Sequence, residues 1–69
     1  MNDNQPLAAD ILRGASAIAD FLGFKRRAVY HAISEGHMPV FRIGETICAR
    51  RTTLTAWIEE QERRARAAA

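Results

Sequence analysis

From residue 15 onward the apolar positions fall into helical spacing, and they do so twice in succession. Ala15, Ile18, Ala19 and Leu22 stand at i, i+3, i+4 and i+7, the signature of one face of an amphipathic helix. They predict a first helix over about residues 15–22, with Gly14 as its N-cap. Gly23 follows, a residue able to enter positive φ without steric cost and so to permit a sharp turn. Phe24 is expected to plug the corner. A second helix is predicted over about residues 25–35, ending at Gly36. At about 100° per residue, Ala28, Val29, Ala32 and Ile33 share one arc of it. Arg26, Arg27, Tyr30, His31 and Ser34 share the opposite arc. One face thus suits a core and the other a partner.

After His37-Met38-Pro39 the period changes from helical to alternating. Phe41 and Ile43 alternate with Val40 and Arg42; beyond Gly44-Glu45-Thr46, Ile47 and Ala49 alternate with Cys48 and Arg50. This predicts a β-hairpin. A two-residue loop, Gly44-Glu45, would set Phe41 opposite Cys48 and Ile43 opposite Thr46. A three-residue loop would gather Phe41, Ile43, Ile47 and Ala49 on one face. The second register is preferred; it leaves Arg42 and Arg50, with Cys48, on the other face. A third helix starts near Thr52 or Thr53, with Leu54, Trp57, Ile58 and Gln61 at i, i+3, i+4 and i+7, and Trp57 closing the small core. Glu59 with Arg63, Glu60 with Arg64 and Glu62 with Arg66 stand at i, i+4 in the favourable order, each pair worth about 0.2–0.5 kcal/mol. The helix should run to about Arg66 before residues 67–69 fray. Residues 1–10 lack periodicity, contain Pro6 and read as a loose tail, while Ile11 and Leu12 are expected to pack under the first helix. One domain over residues 11–66 results.

Composition sharpens this picture. A chain of 69 residues buries only about 60% of its unfolded surface, so a cleft of enzymatic size is hard to build and surface binding is easier. The formal charge is +2, but residues 11–58 carry seven cations against three carboxylates, a local +4. A basic centre with neutral or acidic ends favours a polyanionic partner. The single cysteine, Cys48, excludes an intrachain disulfide, fits a reducing compartment and reads as a small hydrophobe rather than a nucleophile. Cys48 and two distant histidines do not make a zinc site. No signal peptide, membrane span, carboxylate pair, phosphate loop or metal cluster is visible. A cytoplasmic, non-enzymatic protein without cofactor is expected.

The order Ala19-x-Phe21-Leu22-Gly23-Phe24, then Val29-Tyr30-x-x-Ile33-x-x-Gly36, then Met38-Pro39-Val40-Phe41-Arg42-Ile43-Gly44, then Leu54-x-x-Trp57-Ile58 resembles the excisionase-like, MerR-type helix-turn-helix domains. The resemblance covers residues 11–58. It implies a mainly α fold with a small β-hairpin: a winged helix-turn-helix of helix, helix, hairpin wing and helix. It further implies small DNA-binding proteins such as excisionases, recombination directionality factors and AlpA-like phage regulators. By position, Arg26, Arg27, Tyr30 and His31 match the groove-facing part of the recognition helix, and Arg42 with the Gly44 turn matches the wing. Lys25 stands where the family usually has a capping Ser or Thr, and Cys48-Ala49-Arg50-Arg51 replaces a more Arg-rich second wing strand.

The expected function is therefore sequence-selective binding of double-stranded DNA through Lys25, Arg26, Arg27, Tyr30, His31, Arg42, Arg50 and Arg51. Several copies would bind adjacent sites cooperatively, in excision or in transcription. Each residue has a plainer reading as well. Arg26 and Arg27 could be a solvated helix face, Tyr30 a half-buried packing residue, and Arg42 a surface arginine packing its stem. Arg50 and Arg51 lie at a strand-to-helix junction. The alternative function is an adaptor that recruits an integrase, a terminase subunit or another phage or mobile-element protein through the C-terminal helix. No membrane partner is expected.

Overall fold

A computed structural model of the chain describes residues 6–68. It is a small, mainly helical protein with a three-stranded antiparallel sheet. The elements, in order, are α1 (Leu7–Asp10), β1 (Ile11–Arg13), α2 (Ala15–Leu22), α3 (Arg26–Ser34), β2 (Phe41–Ile43), β3 (Thr46–Arg50) and α4 (Arg51–Ala68). The strand order is β1-β3-β2.

Both central helices form where the apolar spacing predicts. α2 spans Ala15–Leu22 behind Gly14 and buries Ala15, Ile18 and Ala19. Gly23 ends it at φ 79°, in the left-handed region, and donates its N–H to the Ala19 carbonyl at 2.8 Å. An L side chain resists that conformation, which is why the turn into α3 needs glycine. α3 begins at Arg26, one residue later than expected, because Lys25 takes an extended N-cap conformation. It ends in a Schellman closure: Gly36 N–H donates to the Ile33 carbonyl and His37 N–H to that of Ala32, both at 3.0 Å.

Leu12, Ala15, Ile18, Ala19, Val29, Met38, Ala49 and Leu54 form the core, with Ile47 and Trp57 packed against it partly exposed. Ile18, Val29 and Leu54 are wholly buried; each full burial of such a side chain contributes about 1.5–3 kcal/mol. Two expected core positions lie outside. Phe24 is 45% exposed rather than plugging the corner, and Ala28 is exposed. α3 packs chiefly on α2, so only the stripe of Val29 with Ala32 and Ile33 is covered.

The sheet departs from expectation in two respects. The hairpin has the two-residue loop: Phe41 faces Cys48, Arg42 faces Ile47 and Ile43 faces Thr46. Gly44 sits at φ 63°, and among the described residues none other than glycine has positive φ, the glycine-first pattern of a type II′ turn. Directly opposed residues point to the same side of a sheet. Arg42 therefore shares the core side with Ile47 and Ala49, whereas Arg50 shares the outer side with Cys48, Phe41 and Ile43. The other departure is β1. Ile11 and Leu12 do not simply underlie a helix; they add a third strand, with Ile11 opposite Arg50, Leu12 opposite Ala49 and Arg13 opposite Cys48. With neighbours on both sides, Cys48 is buried on the outer face rather than left in water, its thiol free.

Residues Leu7–Asp10 are a helical turn rather than loose tail; residues 1–5 lie outside the described residues. Asp10 holds this turn to the start of α4. Its carboxylate accepts from Arg50 Nε at 2.8 Å, Thr52 Oγ1 at 2.9 Å and Thr52 N–H at 3.1 Å. Asp10 thus fills for α4 the role a local N-cap side chain ordinarily has, satisfying an orphan N–H at the positive end of the helix. α4 starts at Arg51, earlier than expected, and runs to Ala68, past the expected end at Arg66. Of its three expected ion pairs, Glu60 with Arg64 forms at 3.0 Å, and Glu60 also pairs with Arg63. No pair from Glu59 or Glu62 forms among the described residues.

Candidate functional site

The basic residues singled out in the sequence separate into two groups with different surroundings. Lys25, Arg26, Arg27, Tyr30 and His31 all stand exposed, the three cations at the start of α3, Tyr30 midway along it and His31 in its last turn. Helical geometry sets Arg27 and His31 opposite buried Val29, with Tyr30 beside them and Arg26 on the flank that faces α2. Tyr30 is 51% exposed, so half of its surface is covered and half is open to a partner. Arg26 makes one weak anchor, an Nη1 donation to Ser16 Oγ of α2 at 3.2 Å. Alongside, Gly23, Phe24, Lys25, Arg27, Ala28 and His31 line an open groove of about 630 Å³. The outward swing of Phe24 and the exposure of Ala28 supply its apolar wall, a feature the sequence did not disclose.

The electrostatics of this helix start run against its own stability. Three cations follow one another at the positive end of the α3 dipole, where anions are the stabilising charges. The first turn holds no acidic residue, and Lys25 makes no side-chain capping bond. The three ion pairs among the described residues all lie elsewhere, at Asp10 and Glu60. The positive charge at this end is thus uncompensated from within.

Arg50 and Arg51 are in the other group, and both are engaged internally. Arg50 pairs with Asp10. Arg51 donates from Nε to the Ala9 carbonyl at 3.1 Å and lies over the Phe21 ring, 5.4 Å from its centroid. The Asp10 carboxyl registers this attachment. Desolvation pushes its pKa up, but hydrogen bonds from Arg50 and Thr52 together outweigh that and hold it below the ordinary aspartate value. Sequence reasoning missed Asp10, whose partners stand 40 and 42 positions away and leave no local signal. Arg42 belongs to neither group: it is exposed on the hairpin, on the helix-bearing side of the sheet.

Among the described residues no group of three His, Cys, Asp or Glu side chains is placed to hold a metal ion, and no helix is long and apolar enough to cross a membrane. Comparison with protein-family models, with characterised proteins and with solved structures returns no match.

Proposed function

We propose that this chain is a non-enzymatic, sequence-selective binder of double-stranded DNA, a winged helix-turn-helix in which α2 and α3 form the reading unit and the β2–β3 hairpin the wing. In this reading α3 lies in the major groove. Arg26 and Arg27 meet base edges and phosphates, Lys25 the backbone, and Tyr30 and His31 the same groove wall. The observation that carries the proposal is the run Lys25-Arg26-Arg27 at the positive end of α3, without acid, side-chain cap or ion pair among the described residues. A polyanion is the partner that relieves such a site. The wing contact narrows to Arg42, because Arg50 and Arg51 already hold Asp10, Ala9 and Phe21.

One unit of this size covers little DNA, so several copies on adjacent sites would supply specificity. A recombination directionality factor of the excisionase kind and a small transcription regulator would use the same surface. The test is binding to random and candidate-site duplexes over a salt series, with the parent and an Arg26→Ala/Arg27→Ala variant. Four phosphate-directed cations give a log–log salt slope of about −3 to −4. The variant should lose affinity, slope and site preference together. A parent that binds neither duplex, or a variant that binds as the parent does, removes the proposal.

A second reading rests on α4, whose residues 61–68 are all exposed. Such a projecting rod suits an adaptor that recruits another protein. Truncation after Glu60 separates the two, since DNA affinity survives it in the first reading and recruitment is lost in the second.

A further inference from the structure

The sheet has a second face that the three longer helices leave uncovered. The register turns Ile11, Arg13, Phe41, Ile43 and Cys48 away from the side that carries Leu12 and Ala49 into the core. Ala8, Ile11, Arg13, Ile43 and Cys48 line a cleft there of about 220 Å³. Phe41, 40% exposed, and Ile43, 61% exposed, stand on the same face. The buried core contains no aromatic ring among the described residues, yet these two large side chains are left to water. That is an unfavourable use of scarce apolar material unless another surface covers them.

Size and charge narrow what that surface is. The cleft falls below the roughly 300–1,000 Å³ of small-molecule pockets and suits a single inserted side chain. Arg13 stands exposed at its rim with no ion-pair partner among the described residues. The neighbouring Asp10 is already taken by Arg50 and Thr52. We propose that this outer sheet face docks a segment of a partner protein that inserts one apolar side chain into the cleft and sets a carboxylate against Arg13. A second copy of the chain fits less well, because the strand residues of this face include no carboxylate to meet Arg13. The cation cluster of α3 lies on the helical side of the sheet, so docking here leaves it open. The inference stands whatever α3 binds.

The experiment selects displayed random peptides of about a dozen residues on the intact chain. Affinities of the enriched peptides are then measured for the parent, Ile43→Asp and Arg13→Glu. Enriched peptides should pair a large apolar residue with a nearby Asp or Glu. Each substitution should weaken them roughly tenfold or more, while both variants, altered only at exposed positions, keep the parent's circular dichroism and melting. Arg13→Glu should also abolish the preference for acidic peptides. No enrichment, enrichment without acidic residues, or binding indifferent to both substitutions overturns the proposal. So does a parent that dimerises in sedimentation and that Ile43→Asp makes monomeric, since the face then belongs to a second copy.

Discussion

On the proposed DNA-binding function, replacing Arg42 with alanine and, separately, Arg50 with alanine asks whether the hairpin register decides which arginine would meet DNA. The two side chains differ by one charge-bearing contact. Arg42 is exposed on the helix-bearing side of the sheet, while Arg50 points to the outer side and holds Asp10 at 2.8 Å. Each phosphate contact contributes about 0.9 to the slope of log affinity against log salt. Arg42→Ala should therefore lower the slope by about 0.9, and the affinity gap between parent and variant should close by about 3.5-fold between 50 and 200 mM salt. Arg50→Ala should leave the slope unchanged and act on stability instead, since it releases Asp10 from one of its partners. Fluorescence anisotropy of a labelled duplex at four or more salt concentrations reads both. An Arg50→Ala slope reduced as much as that of Arg42→Ala refutes the reasoning, and so does an Arg42→Ala slope equal to the parent's.

Three further outcomes follow from the packing. Leu54→Ala, at a wholly buried position, should cost about 2–5 kcal/mol; urea unfolding followed by Trp57 fluorescence measures it, and a loss under about 1 kcal/mol would contradict the burial. Asp10 has a folded-state pKa below its unfolded one, so its stabilising contribution is complete above the ordinary aspartate range and is lost as pH falls through the lowered value. Asp10→Asn should accordingly melt lower than the parent at neutral pH and show a shallower decline on acidification, read from melting curves across pH. Gly44→Ala meets no atom within 4 Å but must hold φ near 63°, so strain alone should cost about 1 kcal/mol, seen as a lower urea midpoint.

The helices were legible because their information is local. Ala15, Ile18, Ala19 and Leu22 carry their period within eight residues, and Gly23 and Gly36 mark the ends. The exposed arc of α3 followed from the same period, so Arg26, Arg27, Tyr30 and His31 were found together. The hairpin was ambiguous because both faces of β3 are apolar: Ile47 and Ala49 on one, Cys48 on the other. Choosing the register that buried the bulky Phe41 and Ile43 gave the wrong loop, as small Ala49 meets the helices and the bulky pair faces out. β1 is three residues long, too short for a period, and its partner strand lies far along the chain. The fate of Arg50 and Arg51 was hidden for the same reason, being decided by Asp10 and the Ala9 carbonyl.

The contact of Asp10 with Thr52, across 42 positions, bears on where this domain can be cut. Hydrophobic periodicity alone would invite trimming up to residue 11, and the last exposed turns of α4 would look worth keeping as regular helix. The structure ranks them the other way. A fragment begun at Ile11 leaves Arg50 without its counter-ion and the Thr52 N–H of α4 without its acceptor, although every core residue is still present. One stopped after Glu60 sheds, among the described residues, only solvent-facing side chains. A fusion partner or affinity tag is therefore better carried beyond the far end of α4 than joined directly to Leu7.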